Sequence, residues 1–395
     1  MRDVVLVGSV RTAIGKFGGY LRNIKAEDLA AITIREVINR CKISPEEIDT
    51  VIMGQTRQST RANNLARVAI LKTDIPYTAK AYTINMLCGS GMRAIISGAM
   101  EIILNQSEVV LAGGTENMSE SPYYIRNARF GDKTPDFIDS NIEGGLGAVP
   151  MDIYGDKLSM GITAENVAKR YHITREEQDL FAYNSQMKYA KALEKDVFSE
   201  EIVPVEIKTK KETILFDKDE FPRIDTTLEK LAKLKPVFDA GGTVTAGNSC
   251  GRNDGAASVV LMSGAKAEEY GIKPIARLVA WGEAGVEAEY MGIGPVNATR
   301  NALKQTSLSI DDIDVIELNE AFASQSIACI NELGLDINKV NPNGGAIALG
   351  HPLGCTGARL VTTLVHEMDR KKARYGLATQ CIGGGQGIAT IWELL

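Results

Sequence analysis

The feature that most constrains this chain is that it repeats itself. Ser44-Pro-Glu-Glu-Ile-Asp-Thr-Val-Ile returns as Ser309-Ile-Asp-Asp-Ile-Asp-Val-Ile. In each copy a Ser followed by acids predicts a helical turn leading into an apolar strand, because Ser caps a helix start and acids suit its positive end. The match continues downstream. The first copy reaches Cys88-Gly-Ser-Gly, then a helical stretch, then a strand ending in Gly113-Gly114. The second reaches His351-Pro-Leu-Gly-Cys-Thr-Gly, then a helical stretch, then a strand ending in Gly383-Gly384-Gly385. The offset stays near 265–270 residues, the scale of a repeated domain. The expected organisation is therefore two related halves, 1–118 with 237–270 and then 271–395, with 119–236 inserted.

Local patterning sets the class of those halves. Val4–Val7, Thr50–Met53 and Glu108–Ala112 read as buried strands. Ala26–Cys41 and Met92–Leu104 carry apolar residues at helical period. Strands alternating with helices predict an α/β fold with partly parallel sheets. Within the insertion, Ser119–Asp156 is rich in Gly, Pro, Tyr and Asp and reads as loop. Thr163–Lys195 reads as helical, with a capping box at Thr174-Arg-Glu-Glu. Lys208-Thr-Lys-Lys-Glu is a solvated charge run.

Composition removes several function classes. A net charge of −6 argues against a general nucleic-acid partner. No apolar run approaches about 18 residues, so no membrane span is expected. The opening Met1-Arg-Asp-Val-Val-Leu-Val reads as a strand rather than a signal peptide. The six cysteines include no Cys-x-x-Cys, and free thiols in a reducing, cytoplasmic compartment are expected. With only His172, His351 and His366 available, no metal centre is expected.

Three Gly-rich segments hold the candidate chemistry. Asn85-Met-Leu-Cys88-Gly-Ser-Gly places a Cys at a strand-to-helix turn, where the helix N-terminus favours a thiolate. Gly350-His351-Pro sits at the equivalent turn of the second half, so the two loops are expected to face one cleft, as a Cys nucleophile and its base require. Gln380-Cys381-Ile-Gly-Gly-Gly offers another Cys beside backbone N–H groups suited to an oxyanion hole. Asn319-Glu320, at a strand end before an apolar helix, reads as a cap or a site. A competing reading comes from Gly89-x-Gly91-x-x-Ala94. With Glu116 some twenty residues on, it fits a dinucleotide-binding fingerprint. That reading leaves the second half of the repeat unexplained.

Taken together, Cys88-Gly-Ser-Gly, Asn319-Glu-Ala-Phe, Gly350-His351-Pro and Cys381-Ile-Gly-Gly-Gly resemble the thiolase family in order and spacing, over essentially the whole chain. Arg11-Thr-Ala-Ile-Gly-Lys-Phe-Gly-Gly, Gly247-Asn248 and Asn253-Asp-Gly-Ala-Ala add to the resemblance. It implies a five-layered αβαβα fold whose inserted loop domain holds coenzyme A, and a homo-oligomer, dimer or tetramer. The implied activity is the joining of two acetyl-CoA into acetoacetyl-CoA and CoA, and the reverse thiolysis. A degradative 3-ketoacyl-CoA thiolase of broader chain length is the alternative. Acyl-CoA and CoA are the implied substrates, with no permanently bound cofactor.

The resemblance also distributes roles. Cys88 would take the acyl group, His351 would activate it, and Cys381 would exchange the α-proton. Asn319 would hold a water in one oxyanion hole, and the N–H groups of Cys88 and Gly383 would form the other. Arg223, Lys230, Ser159, Met160, Ala246 and Cys250 would contact CoA. Three of these depart from the family pattern: Ser159 replaces a usual His, Lys230 a small hydroxyl residue, and Cys250 a Ser that meets the pantetheine.

Overall fold

A computed structural model of the chain describes residues 2–131 and 134–395. The first half opens with strand β1 (Val4–Thr12), helix α1 (Ala26–Cys41) and strand β2 (Thr50–Gly54). It continues with helix α2 (Leu65–Ile70), strand β3 (Lys80–Ile84), helix α3 (Ser90–Ile103) and strand β4 (Val109–Asn117). The intervening segment contains helices α4 (Met160–Arg170) and α5 (Arg175–Glu194). The chain then returns to the first sheet as strand β5 (Asn253–Ser263), antiparallel to both β1 and β4.

The second half repeats this order. It comprises strand β6 (Ala276–Gly285), helix α6 (Gly294–Leu303), strand β7 (Val315–Leu318) and helix α7 (Ala323–Leu333). Helix α8 (Leu353–Lys371) and strands β8 (Tyr375–Ile382) and β9 (Gln386–Leu394) complete it. The strand order is β3-β2-β4-β5-β1 and then, as its mirror, β6-β9-β8-β7. Among the described residues, the pairs Val5–Arg277 and Leu6–Ala276 join the two halves edge to edge. The duplicated sequence thus becomes a duplicated topology. Both Ser-led turns, Pro45–Glu47 and Ile310–Asp312, are single 3-10 turns feeding β2 and β7.

Five layers result. Helices α1 and α2 cover the first sheet and α6 and α7 the second, while α3 and α8 pack between the sheets. The central pair is buried on nearly all sides, its polar residues included. Met92, Ile95, Ile96, Leu360, Val361, Leu364 and Val365 are fully buried there. Each contributes about 1.5–3 kcal/mol by leaving water. Helix α8 also buries charged groups that pair across the core: Arg359 with Glu317 at 2.8 Å, and Glu367 accepting from Asn343 at 2.8 Å.

The described residues between 119 and 156 hold more regular structure than their composition suggests. Strand Tyr123–Arg126 pairs with Asp136–Asp139, and short helices follow at Ser140–Leu146 and Met151–Tyr154. The Asp139 side chain accepts from the Asn141 N–H, and Asn141 donates to the Met118 carbonyl, both at 2.8 Å. These polar anchors replace the apolar periodicity that a pattern reading needs. Helix α4 starts three residues before Thr163, capped by Ser159. Helix α5 has the Thr174–Glu177 capping box. Lys208 to Glu212 form the exposed end of a hairpin.

Candidate active site

Helices α3 and α8 begin side by side, and that juxtaposition builds the site. A Cβ on Gly91 would lie 2.7 Å from the Gly354 carbonyl oxygen and 3.0 Å from the Ala358 nitrogen. Only glycine allows so close a crossing. The turn entering α3 carries Cys88, and the turn entering α8 carries His351. Leu87, directly before Cys88, holds φ +47°, a left-handed conformation that is costly for a branched side chain. It is pinned there because its carbonyl accepts from Thr56 Oγ1 at 2.9 Å and from Ser90 Oγ at 2.6 Å.

His351 is almost fully buried, and its tautomer follows from its neighbours. The Thr356 hydroxyl donates to the Pro352 carbonyl at 2.9 Å, so its oxygen must accept at 2.6 Å from His351 Nδ1–H. Nε2 therefore carries a lone pair, 3.5 Å from Asn319 Nδ2. Burial, with the nearby Arg359 charge, pushes the imidazole pKa down to about 3. The ring is neutral and able to take a proton. Its main chain is fixed by Asn253, whose Oδ1 accepts the His351 N–H at 3.0 Å. Asn319 Oδ1 is buried without a partner among the described residues.

The thiols differ from the expected thiolate. The helix N-terminus and the Gly383 N–H favour a charged sulfur at Cys88, but burial outweighs them and raises its pKa. Burial thus favours the neutral thiol at Cys88, and the imidazole at the neighbouring helix start is neutral as well. Burial, reinforced by Cys88, holds the Cys381 thiol well above the ordinary range. Gln380 Nε2 donates to the Cys88 carbonyl at 2.7 Å, linking the two Cys-bearing segments. The Gly383 N–H lies against the Cys88 sulfur.

The residues expected to meet CoA divide into two groups. Arg223, Lys230 and Ala246 line one cleft of about 240 Å³, together with Phe221, Leu231 and Leu234. Arg223 stacks its guanidinium over Phe221 and makes no ion pair among the described residues. Lys230 is engaged, with Nζ 3.0 Å from the Asp225 carboxylate. Ser159, Met160 and Cys250 lie elsewhere. Ser159 is the α4 cap. Met160 packs with Cys381 and Phe322, and a Cβ on Gly383 would meet its sulfur at 3.3 Å. Cys250 is tied through its N–H to the Ala321 carbonyl at 3.1 Å, and burial pushes its thiol up to about 12, with Cys88 adding to the effect.

The dinucleotide reading fails on the same geometry. Glu116 is fully buried and accepts three backbone N–H groups, so it cannot meet a ribose. A side chain on Gly89 would collide with Ile382, so that turn packs on the second half rather than opening toward a phosphate. Thr356, Gln380 and Glu116 support the site without having been singled out for that role. Thr356 could have been found from its place one turn into the helix behind His351. The other two require the tertiary contacts.

A duplicated five-layered α/β fold that gathers a thiol and a neutral imidazole at paired helix starts, with a second thiol at a strand end, defines a cysteine-based acyl-transferring enzyme. Family models agree: the thiolase N-terminal domain matches residues 4–265 and the thiolase C-terminal domain residues 272–394. The chain belongs to the thiolase family. An acetyl-CoA acetyltransferase of Syntrophomonas wolfei is 49% identical over 400 residues, covering all of both chains. The Bacillus anthracis acetyl-CoA acetyltransferase structure superposes with a TM-score of 0.97 at 46% identity, covering 100% of this chain and 99% of that one. The human mitochondrial 3-ketoacyl-CoA thiolase in complex with CoA gives a TM-score of 0.94 at 43% identity, covering 100% and 98%.

Proposed function

We propose that the chain interconverts two acetyl-CoA with acetoacetyl-CoA and CoA through an acyl-Cys88 intermediate. The observation that carries this reading is the fixed His351 tautomer, with a free Nε2 lone pair, at the helix start beside that of Cys88. In the first half-reaction His351 Nε2 takes the Cys88 proton as sulfur attacks the thioester carbonyl. The C–S bond to CoA breaks, and the departing CoA sulfur takes the Cys381 proton, leaving Cys381 as a thiolate. In the second, Cys381 as thiolate removes an α-proton from another acetyl-CoA. The carbanion attacks the acetyl-Cys88 carbonyl, the new C–C bond forms, and the expelled Cys88 sulfur takes back its proton from His351. Splitting the condensation this way gives ping-pong kinetics.

The oxyanions need donors because an α-proton of a thioester is weakly acidic. We assign one hole to the Cys88 and Gly383 N–H groups, which the placement of Gly383 against the sulfur supports. The other falls to His351 with a water on Asn319, whose unpartnered Oδ1 is the acceptor for it. Arg223 in its cleft supports recognition of the CoA phosphates, with the inserted segment 119–236 as the holding domain. Exposed Tyr123, Ile125 and Phe137 support a homo-oligomer, and free thiols at all six cysteines fit the cytoplasm. The reading is tested by trapping a radiolabelled acetyl group from acetyl-CoA and mapping it. Label at Cys88, lost in Cys88→Ser with the fold intact, is expected. Unchanged turnover in that variant refutes the nucleophile, and thiolysis markedly faster on C8 than on C4 3-ketoacyl-CoA refutes the short-chain assignment.

A further inference from the structure

Glu116 is a fully buried carboxylate with no salt bridge among the described residues. A charge in that position is expensive unless hydrogen bonds compensate it. Oε2 accepts the Thr56 N–H at 2.9 Å and the Gly354 N–H at 2.8 Å, and Oε1 accepts the Arg57 N–H at 3.0 Å. The donors come from both halves. Thr56 and Arg57 follow β2, whereas Gly354 lies in the first turn of α8, three residues after His351.

Each arm leads to a reacting group. On one side Thr56 Oγ1 holds the Leu87 carbonyl at 2.9 Å, and Asn85 Nδ2 donates to the Thr56 carbonyl at 3.2 Å. These bonds bracket the left-handed Leu87 that aims Cys88. On the other side Gly354 is held against the first half with no room for a side chain: a Cβ there would lie 2.7 Å from Gln55 Cα and 3.0 Å from Glu116 Oε2. One carboxylate thus clamps the turn before the thiol to the turn after the imidazole.

We infer that Glu116 is a positioning residue for acyl transfer, setting the placement of Cys88 relative to His351 through three backbone amides. The inference rests on the proposed roles of Cys88 and His351. In Glu116→Gln the side chain keeps its shape, but one acceptor oxygen becomes an NH₂ facing an N–H. A displacement of the order of 1 Å between reacting groups costs about 100-fold in rate. The expected result is a kcat reduced by about 30- to 100-fold with KM for acetyl-CoA within about threefold. Iodoacetamide labelling of Cys88 should slow by at least about tenfold, with a changed pH profile. Thr56→Val leaves the carboxylate intact and cuts only the relay to Leu87. It should lower kcat and Cys88 labelling by about fivefold even if Glu116→Gln does not fold. A variant set with lowered melting temperature but unchanged kcat and labelling profile overturns the inference, because a carboxylate serving the core alone would behave that way. Labelling needs no thioester. A wild-type protein that labels at Cys88 but turns over no acyl-CoA would sink the functional reading, and the labelling comparison would still decide the role of Glu116.

Discussion

Gly91→Ala tests whether the crossing of α3 and α8 sets the site. The added methyl would lie 2.7 Å from the Gly354 oxygen and 3.0 Å from the Ala358 nitrogen, both backbone atoms. Ordinary contact begins near 3.4 Å, so the helices must separate by about 0.7 Å. Overpacking of this kind costs about 1–3 kcal/mol. Alanine recovers at most about 1 kcal/mol in helix propensity, and less in a first turn. The net expectation is a loss of about 1–2 kcal/mol in urea unfolding. The same shift moves the turns carrying Cys88 and His351 apart, so kcat should fall about 10- to 100-fold. Gly98→Ala in the same helix is the internal control. Its methyl would meet Val110 and Leu261 side chains, at 2.8 and 3.4 Å, rather than another helix's backbone. That variant should keep its activity even if its stability changes. Gly91→Ala with stability within 0.5 kcal/mol of wild type and kcat within about twofold would refute the reasoning, since the crossing would then have slack.

Two other outcomes follow from charge. Arg223→Ala should raise KM for acetyl-CoA by about tenfold or more, because a charge-assisted hydrogen bond contributes about 1.5–3 kcal/mol. Lys230→Ala should change it by less than about threefold, because Lys230 is already held by Asp225; steady-state kinetics at constant salt that reverse this order would displace Arg223 from the phosphate site. The depressed His351 pKa makes stability fall on acidification. Between about pH 6.5 and 3 the unfolded imidazole binds a proton that the folded one refuses, so stability rises with pH through that window and is complete above it. The slope is about 1.4 kcal/mol per pH unit. His351→Asn should show a correspondingly shallower loss in urea melts from pH 6.5 to 4.5, and parallel curves would contradict the buried neutral ring.

The parts of this protein that were legible in its sequence are those in which local pattern and tertiary role coincide. Helix α1 was readable to its ends because one face packs on a sheet, giving a clean period over Ala26–Cys41. Helix α3 was read two residues short at its start. Ser90 and Gly91 are chosen for contact with the Leu87 carbonyl and with α8, not for an apolar stripe. The same reason explains why Cys88, His351 and Cys381 stood out while their electrostatics did not. A helix N-terminus is a local feature, and taken alone it promises a thiolate. Burial is a global one, set by two sheets closing over the central helices, and it wins at Cys88.

Glu116 shows the converse. Its spacing from Gly89 suggests a nucleotide, yet among the described residues every hydrogen bond to its carboxylate comes from a backbone amide, and one of those amides lies about 240 residues away. A carboxylate with such partners leaves no trace in local periodicity. It is also what duplication makes possible. Where the two copies of the α/β unit meet through equivalent helices, the end of β4 lies against the start of α8 and the end of β8 against the turn entering α3. On the proposed roles, the first half then supplies the nucleophile, the second supplies the base, and an acid from the first fixes the base loop of the second. The repeat therefore does more than double the core: it places two different side chains at related turns, one a thiol and one an imidazole, so that neither half alone contains the reacting pair.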